Sequence, residues 1–334
     1  MDRRVFLGVT GAALGGLALG SRAARAADRD KVGYQFSWIK NFQFAGEYVA
    51  DSKGYFRQAG VEVDLMAGGP TLPVEPVVVS GRALIGQGSP DNTASANARG
   101  AGLRIIGACY QKSPFAIISM TKTGLNAPKD MVGKRIGVQG SNSVIWNAFL
   151  KINEIDPRSI ETVPVQFDYS PLVSGEVDGF FGFSNDGVTH LRHKGDDVTY
   201  FLCADHGYKL MTATYMVLAS SLSDPAKRAR ITAFMTGDIR GWQDVVTDPT
   251  LAARLTVDTY GKGNGLDEAT EREACALTNE LMVSDVTRAH GLFWMSDEAV
   301  AETIQTLAAA SVRAVPEMFT NEILADIYRG RASL

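Results

Sequence analysis

Cysteine is scarce in this sequence, with three among 334 residues. Cys109, Cys203 and Cys275 lie far apart, and each belongs to an apolar segment. Three distant cysteines match neither a disulfide framework nor the paired spacing of a zinc motif. We therefore expect buried thiols, with a single bridge as the alternative in an oxidising compartment.

Histidine is also scarce, and the motifs of common enzyme classes are missing. His190 and His193 are three residues apart on a predicted helix and could share a face toward a metal ion. Arg192 and Lys194 beside them disfavour a bound cation. We therefore interpret the two histidines as ordinary surface residues and expect no metal. Gly86-Gln87-Gly88-Ser89 lacks the spacing of a nucleotide fingerprint or P-loop, and no Gly-x-Ser-x-Gly elbow occurs. These absences argue against an enzyme, and we expect no cofactor.

The apolar stretch near the N-terminus, Val9 to Leu19, is too short to span a bilayer, which takes roughly 20 residues. Arg3-Arg4 precede it and the small-x-small triplet Ala24-Arg25-Ala26 follows it. This arrangement resembles a cleaved twin-arginine export signal. We expect residues 1–26 to be a signal peptide cleaved near Ala26, with a retained membrane anchor as the alternative, and the mature chain to reach the periplasm.

The composition is that of a mildly acidic globular chain. Apolar residues make up 45% of it, which excludes disorder, and its formal net charge is −4. Loss of the arginine-rich leader makes the remainder more negative. An acidic surface argues against nucleic acid and anionic membranes as partners.

The stretch from Val32 to Pro70 predicts one strand–helix–strand unit. Gly33 to Trp38 alternates as a strand does, Phe44 to Val49 has helical spacing, and Val61 to Leu65 alternates again. Strand and helix patterns alternate through both halves of the chain, and the pattern is almost wholly helical after Asp224. Such alternation predicts an α/β protein with mixed, mostly parallel sheets.

This unit contains a series of motifs in a fixed order: Trp38, Asn41-Phe42-Gln43-Phe44-Ala45-Gly46, Tyr48-Val49-Ala50, Lys53-Gly54-Tyr55-Phe56, Gly60-Val61-Glu62-Val63 and Gly68-Gly69-Pro70. In this order and spacing they resemble one family, the thiamine-precursor-binding branch of periplasmic solute-binding proteins for ABC importers. Relatives of that branch bind riboflavin precursors, sulfonates and nitrate. The resemblance extends from about Val32 to Ser220, and less specifically to the C-terminus.

The resemblance implies a two-lobed type II periplasmic binding protein fold with two hinge crossings. We expect lobe I to comprise residues 28–112 and 216–334, and lobe II residues 113–215. The crossings would lie near Gln111–Pro114 and Thr212–Tyr215. Its partners would be a small-molecule ligand and the permease and ATPase subunits of an importer, and we expect a monomer.

The predicted ligand contacts follow from strand ends, because ligands of open α/β sheets bind beyond the carboxyl ends of the strands. Aromatic rings there would stack on a heterocycle, and amide or carboxylate groups would match the edge of an aminopyrimidine. The predicted contacts are Trp38, Asn41, Phe44, Asp91, Ser141, Asn142, Trp146, Phe183, Asn185 and Asp186.

Six of these positions have a structural alternative. Core packing competes with ligand contact for Phe44 and Trp146. Helix capping competes with it for Asp91, for Ser141 and for the pair Asn185–Asp186.

Charge favours a neutral or weakly basic heteroaromatic ligand over an anion. The candidate loops carry only Lys40 and Lys112, whereas Glu47, Asp91 and Asp186 lie near the same cleft mouth. The resemblance points to a thiamine-precursor pyrimidine, such as the hydroxymethyl or formylamino form, with riboflavin as the near alternative.

Other functions stay open in the same fold. One is the binding of a sulfonate, nitrate or aromatic carboxylate, and another is ligand presentation to a membrane receptor. A third is a pyrimidine-synthase-like enzyme. Such synthases carry a cysteine-rich motif and stay in the cytosol, and neither feature is found here.

Overall fold

The computed structural model describes residues 31–69, 72–166 and 168–333, without the side chain of Ser141. The predicted signal peptide lies outside the described residues, and so does Pro70 at the end of the first unit.

The first sheet has five strands, four of which run in the same direction. In spatial order they are β2 (Glu62–Met66), β1 (Lys31–Gln35), β3 (Ile85–Gly88), β10 (Thr212–Leu218) and β4 (Leu103–Tyr110). β1 pairs in parallel with β2 and β3, whereas β10 pairs antiparallel with β3 and β4.

The second sheet repeats this plan with the next part of the chain. Its strands in spatial order are β7 (Glu161–Val165), β6 (Arg135–Gln139), β8 (Gly179–Phe183), β5 (Phe115–Met120) and β9 (Val198–Leu202). β6 pairs in parallel with β7 and β8, and β5 is the antiparallel strand. The prediction of two mixed, mostly parallel sheets is confirmed.

The helices flank the two sheets, and none of the described ones combines the length and apolarity needed to cross a membrane. They are α1 (Ala45–Ser52), α2 (Tyr55–Gln58), α3 (Glu75–Val79), α4 (Pro90–Asn97), α5 (Ser143–Ile152), α6 (Ser170–Val173), α7 (Ser184–His193), α8 (Ala219–Ser223), α9 (Pro225–Thr247), α10 (Thr250–Leu255), α11 (Glu268–Met282), α12 (Asp285–His290), α13 (Asp297–Ala309) and α14 (Glu322–Tyr328).

The chain passes from the first sheet to the second between β4 and β5, and it returns between β9 and β10. The first passage includes Gln111–Pro114, where a crossing was expected. The expected return at Thr212–Tyr215 is instead part of β10, because Thr212 already pairs with Tyr110. We propose that lobe II ends before Thr212 and that the return crossing is Cys203–Met211.

Glu47 was expected near the cleft mouth but is buried in the core of the first lobe. It lies on α1, where Tyr34 Oη donates to its carboxylate over 2.8 Å and Trp242 Nε1 over 3.2 Å. Burial raises the pKa of Glu47 to about 7, against the opposing effect of these hydrogen bonds. The inward face of α1, not the cleft, determines the position of this carboxyl group.

The three cysteines are buried and free, as predicted. Burial raises the pKa of each thiol, so all three are un-ionised at neutral pH.

Candidate ligand-binding site

A cavity of about 450 Å³ lies between the two sheets and is lined by residues of both. Its walls include residues at or just beyond the carboxyl ends of four parallel strands: Trp38 after β1, Gly88 of β3, Gln139 of β6 and Phe183 of β8. Its volume falls within the range of about 300–1,000 Å³ that is typical of small-molecule sites.

Trp38 forms part of the first-lobe wall, three residues after β1. The loop after β2 packs directly against the backbone of this segment, and Gly68 N–H donates to the carbonyl of Trp38 over 3.0 Å. A Cβ atom at Gly68 would lie 2.2 Å from the carbonyl oxygen of Phe36. Only glycine permits this approach, so Gly68 helps to position the backbone segment that carries Trp38.

The second lobe contributes three further aromatic rings, those of Phe115, Tyr169 and Phe183. The ring of Phe115 lies edge-on to that of Phe183, with centroids 4.7 Å apart. The absence of a side chain at Gly187 leaves room for the Tyr169 ring, since a Cβ atom at position 187 would lie 2.9 Å from the phenol ring. These rings offer faces and edges on which a flat ligand can stack.

Two carboxyl groups face the cavity from the first lobe. Asp91 lies in the first turn of α4, where the helix dipole favours a negative charge, and Ser89 Oγ donates to it. Glu75 lies in the first turn of α3 and also lines the cavity. Burial raises the pKa of both groups, and the charge of Asp91 raises that of Glu75 further.

A third carboxyl group, that of Asp186, faces the cavity from the first turn of α7. Tyr169 Oη donates to its Oδ2 atom over 2.6 Å. Part of Asp186 is accessible from the cavity, but protein atoms surround its carboxyl group. This burial raises the pKa of Asp186 to about 6, although the tyrosine hydrogen bond opposes the shift.

Amide groups complete the polar lining, and none of the described lining residues is Lys, Arg or His. The amides are those of Gln43, Asn92, Gln139 and Asn142. Neither loop lysine reaches the cavity lining, and Lys112 pairs with Asp205 over 2.7 Å. The described walls therefore combine aromatic rings, hydrogen-bonding groups and acids.

The structure brings five of the predicted contact residues together around this cavity. They are Trp38, Asp91, Asn142, Phe183 and Asp186.

Four other predicted contacts lie behind the cavity walls. Asn41 caps the 3-10 helix Phe42–Phe44 by accepting from Gln43 N–H over 3.1 Å. Phe44 is fully buried and stacks on Phe36, with ring centroids 3.9 Å apart. The core-packing alternative describes Phe44 better than ligand contact does.

Trp146 and Asn185 likewise face protein. Trp146 Nε1 donates to Thr162 Oγ1 over 3.1 Å, and its ring packs in the core of the second lobe. Asn185 Nδ2 donates to Thr278 Oγ1 of α11 over 2.8 Å. The side chain of Ser141, the remaining predicted contact, lies outside the described part of the chain.

Sequence reasoning missed several lining residues, above all Glu75, Ser89, Phe115 and Tyr169. Phe115 carried a usable signal, because it begins the strand directly after the first crossing between the sheets. Tyr169 carried none, since it precedes the short helix α6 and reaches the cavity only through tertiary packing.

The two histidines considered for metal binding make protein contacts instead. His193 Nε2 lies 2.8 Å from a carboxylate oxygen of Glu273, and the His190 ring lies against that of Tyr169. Across the described ranges, no group of three or more His, Cys, Asp or Glu side chains is placed to hold a metal ion.

Two curated binding proteins resemble most of this chain. A riboflavin-binding protein, RibY, of Chloroflexus aurantiacus is 23% identical over 86% of this chain and 84% of its own length. A formylaminopyrimidine-binding protein of Halalkalibacterium halodurans is 23% identical over 76% of this chain and 78% of its own length. A 4-amino-5-hydroxymethyl-2-methylpyrimidine phosphate synthase of Legionella pneumophila is 25% identical over 49% of this chain and 53% of its own length.

Among solved structures, the chain resembles a periplasmic sulfonate-binding protein, SsuA, of Methylobacillus flagellatus. The TM-score is 0.63 at 15% identity, and the match covers 90% of this chain and 94% of that one. The likeness shows that this chain has the fold of periplasmic binding proteins. The family model NMT1/THI5 like matches residues 41–252, more than half of the sequence. The chain therefore belongs to the NMT1/THI5-like family.

Proposed function

We propose that this chain is the extracytoplasmic substrate-binding component of an ABC importer. It captures a small heteroaromatic ligand between its lobes, by aromatic stacking and hydrogen bonds, and delivers the ligand to the permease and ATPase subunits. The ligand is a thiamine-precursor pyrimidine, such as the hydroxymethyl or formylamino form, with riboflavin as the near alternative.

The composition of the cavity walls is the observation that carries this proposal. The indole of Trp38 lies on one wall and the rings of Phe115, Tyr169 and Phe183 lie on the other. A flat ring placed between them would lose most of its contact with water, and stacking on one aromatic ring is worth about 0.5–1.5 kcal/mol beyond area burial. The carboxyl and amide groups can accept hydrogen bonds from a ring amine and meet ring nitrogens.

Family membership and the two binding-protein relatives support the same assignment. One relative is named for riboflavin and the other for a formylaminopyrimidine, and both are flat nitrogen heterocycles. Both relatives align with most of this chain. This coverage favours a binding function shared by the whole protein over a likeness confined to one segment.

An anionic ligand, such as a sulfonate, nitrate or aromatic carboxylate, is the second candidate because of the likeness to a sulfonate-binding protein. Anions are commonly held by Arg or Lys. The described lining offers neither, and it places Glu75, Asp91 and Asp186 where an anion would be repelled. The chemistry of the cavity therefore favours the heterocycle.

Synthesis of a pyrimidine is the third candidate, and the positions of the cysteine thiols argue against it. Cys109, Cys203 and Cys275 are buried, and none belongs to the described cavity lining. The synthase relative matches only about half of this chain. These observations favour binding without turnover.

Mass spectrometry of small molecules released from the natively purified protein tests the proposal directly. Calorimetric titration then compares hydroxymethylpyrimidine, riboflavin and taurine. We expect heat from a heterocycle and none from taurine. Taurine or nitrate binding without heat from either heterocycle would overturn the ligand assignment, and chemical conversion of a bound pyrimidine would overturn the binding-only function.

A further inference from the structure

Asp91 and Asp186 occupy equivalent positions in the two lobes. In both five-stranded sheets the middle strand leads directly into a helix: β3 into α4, and β8 into α7. Asp91 lies in the first turn of α4 and Asp186 in the first turn of α7. The two carboxyl groups thus face one cavity from opposite lobes.

Each of these aspartates has a neighbour that keeps its carboxyl group in place. Ser89 Oγ donates to Asp91, and Tyr169 Oη donates to Asp186. Glu75 adds a second acid beside Asp91, so the first lobe presents two carboxyl groups and the second presents one. Glu271 of α11 lies close enough to Asp186 for their charges to interact.

The described residues that line the cavity supply no cation to these acids. Arg99 lowers the pKa of Glu75, but it is exposed and does not belong to the lining. None of the described lining residues is basic. Burial raises the pKa of all three lining acids. A cationic ligand would compensate their charge from within the cavity.

We propose that the preferred ligand is a heteroaromatic ring that carries a protonated alkylamine, with the ammonium group bound by Glu75 and Asp91 and a ring amino group bound by Asp186. This inference rests on the proposed function and narrows its ligand class from a small heteroaromatic ring in general to one with a cationic substituent. Because each lobe binds one end of such a molecule, both ends are needed to hold the lobes together.

Three probes that differ at one substituent test the proposal on the unaltered protein. They share the 4-amino-2-methylpyrimidine ring and carry aminomethyl, hydroxymethyl or formylaminomethyl at position 5. In calorimetry at pH 7 we expect the aminomethyl probe to bind at least about tenfold more tightly than either neutral probe, as a charge-assisted hydrogen bond would provide. Equal or tighter binding of a neutral probe would overturn the inference and leave the proposed function intact. Failure of all three probes to bind would overturn the inference and the pyrimidine assignment, and failure of riboflavin to bind as well would overturn the proposed function.

A pair of variants with matched controls locates the ammonium site. Glu75→Gln should weaken the aminomethyl probe roughly tenfold or more and change the hydroxymethyl probe by less than about threefold. Glu62→Gln, an exposed site on β2, is the control and should change neither. Asp186→Asn should weaken both probes, because both carry the ring amine, whereas the exposed control Asp197→Asn should weaken neither. Equal losses for the two probes in Glu75→Gln would contradict the assigned ammonium site.

Discussion

The hydroxyl of Tyr169 donates a 2.6 Å hydrogen bond to Oδ2 of Asp186, and both side chains line the cavity between the sheets. Tyr169 precedes α6 and Asp186 lies in the first turn of α7, so two separate segments of the second lobe meet at this bond. The hydrogen bond lowers the pKa of Asp186 against the larger effect of burial, which leaves that pKa at about 6. The tyrosine therefore helps to keep the carboxylate charged at neutral pH.

Tyr169→Phe tests this role of the hydroxyl. Its removal leaves Asp186 Oδ2 without the donor and raises the pKa of Asp186 further, so the affinity for an aminopyrimidine should fall by about 3- to 10-fold at pH 7. Calorimetry from pH 5 to pH 8 should also show that the acidic limb of binding moves to higher pH. Tyr200→Phe, on β9, is the matched control. An unchanged pH profile in Tyr169→Phe would contradict the prediction.

Trp38→Ala should weaken ligand binding without unfolding the protein. Loss of stacking alone costs about 0.5–1.5 kcal/mol, and loss of apolar contact adds to this. Trp38→Phe should retain part of the affinity, because a smaller ring remains. Trp294→Ala removes a half-buried indole that stacks on His290 and is not part of the cavity lining, so it should leave the affinity unchanged. Calorimetry with hydroxymethylpyrimidine, alongside thermal melts, distinguishes the two sites.

Asn185→Ala should lower stability more than affinity. Its amide donates to Thr278 Oγ1 over 2.8 Å and is fully buried, so truncation should cost about 1–3 kcal/mol of unfolding free energy. Thr278→Val removes the same bond from α11, and the double variant should be less destabilised than the two single changes together predict. Urea unfolding measures all three variants. A loss of affinity at wild-type stability would instead restore Asn185 as a ligand contact.

The ligand-free protein should become less stable as the pH rises from about 5 to about 8. Burial raises the pKa of Asp186 to about 6, of Glu47 to about 7 and of Glu271 to about 8, so each binds its proton more tightly folded than unfolded. Such groups contribute full stability below their unfolded pKa of about 4, and this contribution is lost as the pH rises through the folded values.

Glu271→Gln isolates one of these groups. Phe42 N–H donates to Glu271 over 2.7 Å, and the glutamine oxygen can accept the same bond. The variant should match the wild type near pH 5 and become relatively more stable toward pH 8. Glu280→Gln, exposed on the same helix, is the control. Denaturant unfolding from pH 5 to pH 8 measures how the free energy of unfolding depends on pH. The assignment would be disproved if this dependence were the same in Glu271→Gln as in the wild type.

Ligand binding should bring the lobes together through the two chain crossings. We expect saturating hydroxymethylpyrimidine to reduce the radius of gyration measured by small-angle scattering, as hinge closure does. Trp38→Ala at the same ligand concentration is the control, because weaker binding leaves a larger fraction of that variant with its lobes open. An unchanged radius in the wild type under saturating ligand would exclude closure.

Much of the architecture could be predicted from sequence, because strand and helix periods are local properties. The alternation in Gly33 to Trp38 and the spacing in Phe44 to Val49 appear as β1 and α1, with limits shifted by a few residues. The start of β10 was missed because Thr212-Ala213-Thr214 offers few apolar side chains. Its pairing with Tyr110 depends on a strand that lies about one hundred residues earlier in the chain.

The sequence by itself determined which strand ends carry rings and acids, and so it located Trp38, Asp91 and Asp186 near the cavity. Tertiary structure alone decided which side chains near these three residues face the cavity. α7 begins at Ser184, and a helix turns by about 100° per residue, so Asp186 lines the cavity while Asn185 points to α11. The position of Tyr169 beside Asp186 was likewise decided by packing between distant segments, because no local pattern encodes which segments meet.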